Sequence, residues 1–150
     1  MWPDPRVARF VEENFVAARV HVKDDGALFQ KYSEKYGAQW TPTILELDPE
    51  GEERHRVEGF LPADDLLPQL MLGRAQIALA EEQWDDAERR FREIVDKFPE
   101  SDAAPEALYW AGVSDYRATE DPSALRDTQR AFRDRYSQSS WARKASVWEQ

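Results

Sequence analysis

Between Pro5 and Phe15 the apolar residues Val7, Phe10, Val11 and Phe15 fall on one face of a helix. Asp4 stands where an N-cap is needed, and Pro5 sits in the first turn, where a missing N–H costs nothing. The next stretch, FVAARVHV (15–22), is β-branched and alternating, which predicts a strand. In DDGALFQKYSEKYG (24–37), Leu28, Tyr32 and Tyr36 recur every four residues and Gly37 follows, predicting a helix closed by a C′ glycine. TPTILELD (41–48) and RHRVEGF (54–60) alternate on either side of the turn PEGEE and predict a β-hairpin. From Pro62 onward the period-two signal stops and the pattern is helical to the end. The expected fold class is therefore α/β followed by all-α, in two domains, residues 1–65 and 66–150.

The helical half repeats itself. FPESDAAPEALYW (98–110) aligns with YSQSSWARKASVW (136–148), so that Phe98 matches Tyr136, Ser101 matches Ser139, Ala107 matches Ala145 and Trp110 matches Trp148, each 38 residues apart. A period of that length signals stacked helical hairpins. In the first hairpin, Leu72, Ala75 and Leu79 lie on one helix, and Ala87, Phe91 and Pro99 follow on the next. Over residues 66–99 this arrangement resembles a tetratricopeptide repeat, in which a small residue such as Ala87 permits close approach, Phe91 fills the groove and Pro99 ends the helix. In the second unit Leu125 and Gln129 stand at the Ala and Phe positions, TEDPS lengthens the turn, and the helix expected over 140–149 has no partner.

The first half resembles another family. Its element order, and YGAQWTPTILELDPEGEERHRVEGF in particular, is similar to the thioredoxin-like fold over about residues 3–70. The resemblance implies that Thr41-Pro42 is the pair holding a cis proline, and that Trp40, Thr41, Pro42 and Thr43 form a candidate peptide-binding edge. It also implies a Cys-x-x-Cys motif at the start of the first helix, after a central strand. Neither is present, and the sequence contains no cysteine. The absent strand would lie between strand 15–22 and strand 41–48, leaving backbone groups unpaired. The gap is accounted for by a start assigned too late or a cut chain, which is favoured, by a strand donated from a neighbouring chain, or by direct pairing of the two flanking strands. Self-association through open strand edges is a further expectation.

Composition narrows the function classes. With 41% hydrophobic and 12% aromatic residues, the 150-residue chain is expected to fold. Its net charge of −10 argues against nucleic acid and anionic membranes, and no apolar run reaches transmembrane length. The N-terminal residues, acidic early and without an apolar core, do not read as a signal peptide. Without cysteine there is no disulfide, no Cys zinc site and no thiol catalysis within the chain, and the expected compartment is cytoplasmic. His21 and His55 read as ordinary strand residues with no ligand spacing. The pairs Asp24-Asp25, Asp64-Asp65 and Asp85-Asp86 read as helix-start acids rather than metal ligands. Trp84 reads as a staple at the turn into its helix, and Trp110 and Trp148 as core.

No catalytic residue, cofactor or metal is expected. The chain reads as a non-catalytic interaction module, thioredoxin-like and then tetratricopeptide-like, whose partner is a protein or an extended peptide. The alternative is a C-terminal fragment of a thioredoxin-like thiol-disulfide oxidoreductase whose Cys-x-x-Cys lies upstream of Met1.

Overall fold

In the computed structural model, which describes residues 2–149, the first helix, α1 (Pro5–Asn14), begins as its capping residues dictate. Asp4 is the N-cap, and its carboxylate accepts the Arg6 N–H at 2.8 Å. The Arg6 guanidinium returns to Asp4 at 3.0 Å and reaches Asp64 at 2.7 Å. Val7 and Val11 form the buried stripe, and Phe10 meets Phe15 edge to face at 6.2 Å.

The chain divides into two compact units, Met1–Leu67 and Pro68–Gln150. In the first, the expected strand at 15–22 does not form. Residues 15–21 have no regular secondary structure, Val16 is fully exposed and Val22 is nearly half exposed. Alternation and β-branching describe a residue's fit to a pleated surface, and a strand persists only when a neighbour pairs with it. Direct pairing with the 41–48 segment is likewise absent. His21, expected in that strand, sits instead in a turn: its N–H donates to the Asp25 carboxylate and its C=O accepts the Asp25 N–H, both at 2.9 Å.

That turn leads into α2 (Gly26–Tyr36), which ends as predicted on Gly37 in the left-handed region at φ +63°. Strands β1 (Thr43–Leu47) and β2 (Glu53–Glu58) then form the expected antiparallel hairpin, pairing Ile44 with Val57 and Glu46 with His55, with an irregularity after Glu46. The Asp48 carboxylate closes the turn by accepting the Glu50 and Glu52 N–H groups and holding Arg54 at 2.8 Å. Arg56 ties β2 to the end of α2: it donates to the Tyr36 carbonyl and pairs with Glu53 and Glu58.

Helix α3 (Ala63–Ala80) carries the chain into the second unit, which is helical: α4 (Trp84–Lys97), α5 (Ala103–Thr119), α6 (Ser123–Asp134) and α7 (Ser140–Ala145), closed by a 3-10 turn at Ser146–Glu149. The predicted core residues Leu72, Ala75, Ala87 and Phe91 are all completely buried. Helix α4 packs along α5, and α5 along α6.

Three details of this unit differ from the sequence expectation. The buried face of α6 carries Ala124, Thr128, Gln129 and Phe132, so Ala124 rather than Leu125 takes the small-residue position, one residue earlier than the 38-residue offset places it. The expected lengthening of the turn by TEDPS is not seen: residues 81–83 join α3 to α4 and residues 120–122 join α5 to α6, three residues in each case, with Thr119 and Ser123 taken into the helices. The terminal segment also has partners: α7 and its 3-10 turn pack on α5 and α6, where Tyr109 stacks on Trp148 at 4.7 Å and meets Trp141 at 5.2 Å.

Gly112 explains how closely α5 meets α6. A Cβ added there would fall on the Thr128 side chain, well inside van der Waals contact. The Thr128 hydroxyl donates to the Ala124 carbonyl at 2.8 Å, so the polar group lodged in this contact is satisfied within its own helix.

Candidate functional site

The four residues expected at the peptide edge lie together at the open end of the hairpin. Thr41-Pro42 is a cis peptide, as the resemblance implied. The Thr43 hydroxyl donates to the Trp40 carbonyl at 2.6 Å, which folds the segment into a tight corner. The Pro42 carbonyl accepts the Gly59 N–H at 2.8 Å, anchoring that corner to the end of β2. Gly59 adopts φ +85°, a conformation that favours glycine. Trp40 is 68% exposed and Phe60, next to Gly59, is 81% exposed. Two large apolar side chains therefore stand free beside one corner of backbone.

From that corner β1 runs antiparallel to β2, the two forming a two-stranded sheet among the described residues. With the Pro42 carbonyl facing β2, antiparallel alternation directs the backbone groups of Ile44 and Glu46 toward β2 and those of Thr43, Leu45 and Leu47 away from it. Side chains alternate as well, so Ile44 and Glu46 share one face with Val57 and His55.

Glu46 was not singled out by sequence. It is 4% exposed, and neither carboxyl oxygen has a hydrogen-bond partner among the described residues. Burial pushes its carboxyl up to about 9, so the group is neutral at physiological pH. Asp48, two residues on, behaves in the opposite way. Burial alone would raise it, but the amides of Glu52 and Glu50 and the Arg54 guanidinium hold it below the usual carboxylate range. The signal for Glu46 was a lone acid inside T-I-L-E-L, at the position sharing Ile44's face. Phe60 was likewise legible only as the end of a strand.

The remaining candidates have structural surroundings. His55 lies in β2 opposite Glu46. Asp64 and Asp65 occupy the first turn of α3, and Asp85 and Asp86 that of α4. Asp86 pairs with Arg89 and Arg90. Asp25 precedes α2 without making a side-chain cap, its carboxylate being used by His21. Trp84 begins α4 with the Arg117 guanidinium 4.4 Å above its ring. Among the described residues no group of three His, Cys, Asp or Glu side chains is placed to hold a metal ion, and no helix is long and apolar enough to cross a membrane.

The helical unit carries a shallow cleft of about 410 Å³ lined by residues including Glu100, Asp102, Tyr136 and Trp141. Its mouth is tied by the Tyr136 hydroxyl, which donates to the Pro99 carbonyl at 2.5 Å.

No curated protein and no solved structure matches the chain. Residues 1–72 match the family model of a thioredoxin-like domain, and that part of the chain is similar to this family in its fold, ahead of a helical C-terminal region.

Proposed function

We propose that the chain as it stands is a non-catalytic protein-interaction module that binds an extended peptide or protein segment at Trp40, Thr41, Pro42 and Thr43. The observation carrying this reading is the pair of exposed rings, Trp40 and Phe60, flanking the corner where the Pro42 carbonyl meets Gly59. Exposed aromatic side chains beside unpaired strand backbone supply the two ingredients of strand recognition, apolar anchors and main-chain hydrogen bonds. The helical unit, with Ala87 and Phe91 in its core, acts in this reading as a tetratricopeptide-like scaffold. The acidic, cysteine-free composition suits a cytoplasmic protein.

A fluorescein-labelled Thr/Val-rich extended peptide, titrated with the full chain and followed by anisotropy, tests this. Trp40→Ala is expected to weaken binding by about tenfold or more, whereas Trp84→Ala, in the helical unit, leaves it unchanged. Equal effects of the two substitutions would refute the site.

The similarity of residues 1–72 to thioredoxin-like domains favours a second reading, in which this chain is the C-terminal part of a thiol-disulfide oxidoreductase whose cysteines lie upstream. In either case this sequence contains no thiolate to attack a disulfide. Insulin reduction by dithiothreitol is expected to proceed at the protein-free rate when the chain is added, and turnover above that rate would contradict the non-catalytic reading.

A further inference from the structure

The shallow cleft of the helical unit lies between two successive turns, the one joining α4 to α5 and the one joining α6 to α7. Pro99 and Pro105 come from the first turn and the helix it opens, Tyr136 and Trp141 from the second. The Tyr136 ring is held in place, its hydroxyl donating to the Pro99 carbonyl and accepting from Arg135 at 3.2 Å. Trp141 leans on Tyr109, 5.2 Å away, and its indole N–H donates to no partner among the described residues. Glu100 and Asp102 line the same cleft, and both are exposed. Asp102 stands at the N-cap of α5 without making a side-chain cap, unlike Asp4 before α1. Neither carboxylate enters an ion pair or a hydrogen bond among the described residues. The nearby cations are engaged otherwise, Arg135 over the Tyr136 ring at 5.0 Å and Lys144 over the Trp141 ring at 3.8 Å.

We propose that this cleft is a second peptide site, taking a proline-containing segment in the polyproline II conformation with an arginine or lysine beside Glu100 and Asp102. The backbone around the cleft is helix and closed turn, which offers no row of free N–H and C=O groups to an added strand. A polyproline II segment needs none. It arrives already extended, packs its proline rings on aromatic side chains, and requires only isolated donors to its carbonyls. Tyr136 and Trp141 supply the rings, and the Trp141 indole supplies the donor. Charge fixes the flanking residue: two unpaired acids, in a chain of net charge −10, attract a cation and repel an acid. The volume of about 410 Å³ is at the small end for ligand clefts and suits a short segment. The site is separate from the hairpin corner and does not depend on it.

The test titrates the full chain with the fluorescein-labelled peptide Ala-Pro-Pro-Arg-Pro-Ala, and with versions carrying Met or Glu in place of Arg, followed by anisotropy. The Arg peptide is expected to bind about fivefold more tightly than the Met peptide, and the Glu peptide most weakly. That advantage is expected to shrink as salt rises from about 50 to about 300 mM. In Glu100→Gln/Asp102→Asn, which alters two exposed side chains, the Arg peptide is expected to fall to the affinity of the Met peptide. Trp141→Phe keeps a ring against Tyr109 but removes the indole donor, and is expected to weaken all three peptides alike. Trp40→Ala is expected to change nothing. Absence of binding, equal binding of the Arg and Met peptides, or an Arg advantage that survives the double substitution overturns the inference. So does unchanged affinity when the prolines of the peptide are replaced by alanine. A loss on Trp40→Ala as large as that on Trp141→Phe places the peptide at the hairpin corner, overturning this site and leaving the interaction reading intact. If a variant loses its far-UV circular dichroism, the unaltered chain decides, since an Arg advantage indifferent to salt contradicts the ion pair.

Discussion

Helix α2 contains no buried residue, whereas α5 contains seven. Both follow the apolar spacing of a helix, and both end on a residue in the left-handed region, Gly37 and Glu120. What separates them is the company each keeps. Helix α5 lies along α4 and α6, with Gly112 set against Thr128, while α2 is held chiefly at its end, through Arg56 on the Tyr36 carbonyl and the Tyr36 hydroxyl on the Gly51 carbonyl. Amphipathic patterning creates a face to be buried, but tertiary neighbours determine whether it is buried. Stability in this chain is therefore uneven, with the first unit drawing on few buried contacts and the second on many.

Hydrogen exchange should sharpen that contrast most. Amides of residues 15–42 are expected to exchange orders of magnitude faster than those of α4 and α5, because local opening there exposes little apolar surface. Comparable protection in the two regions would contradict the uneven picture. Next in size are substitutions that overfill the helical contacts. Gly112→Ala drives a methyl group into Thr128, and Ala87→Leu enlarges a completely buried site. Each is expected to cost about 1–3 kcal/mol in chemical denaturation. Asp96→Ala, on the exposed side of α4, is expected to change stability by less than about 0.5 kcal/mol.

The first unit offers a pH-dependent counterpart. Folding raises the Glu46 carboxyl from 4.5 to about 9, so between these values the folded state retains a proton that the unfolded chain loses. The stabilisation linked to this proton is complete below the unfolded value and disappears as pH rises through the folded one. Melting of the first unit is therefore expected to become easier from pH 5 to pH 9, by at most about 1.4 kcal/mol per pH unit, and Glu46→Gln is expected to flatten that dependence. Asp48, held low by its amides and Arg54, acts in the other direction: its contribution is present at neutral pH and fades in acid.

The parts that sequence made legible are those whose signals are local. Asp4-Pro5, Gly37 and the PEGEE turn each constrain a few neighbouring residues, and the structure places all three as read. The 15–22 segment misled because Val16, Val20 and Val22 report only a liking for pleated surroundings, and pairing is a nonlocal matter. The phase of α6 was hidden for a related reason, since Ala124 and Leu125 stand side by side and only the neighbouring helix decides which of them faces it. At the candidate site, Trp40 could be found from its place before Thr41-Pro42. Glu46 could not be distinguished from an ordinary outward residue, because alternation gives two faces without saying which one is covered.

The hydroxyl of Tyr136 on the Pro99 carbonyl has a consequence for how the repeats could be exchanged. Phe98 occupies the matching place one unit earlier and has no hydroxyl to offer. One oxygen atom thus gives the array a direction, fastening the later turn back onto the earlier one. A chain assembled from copies of the earlier unit alone would keep its apolar spacing yet lose this fastening, and its successive hairpins would rely on side-chain packing alone for their spacing.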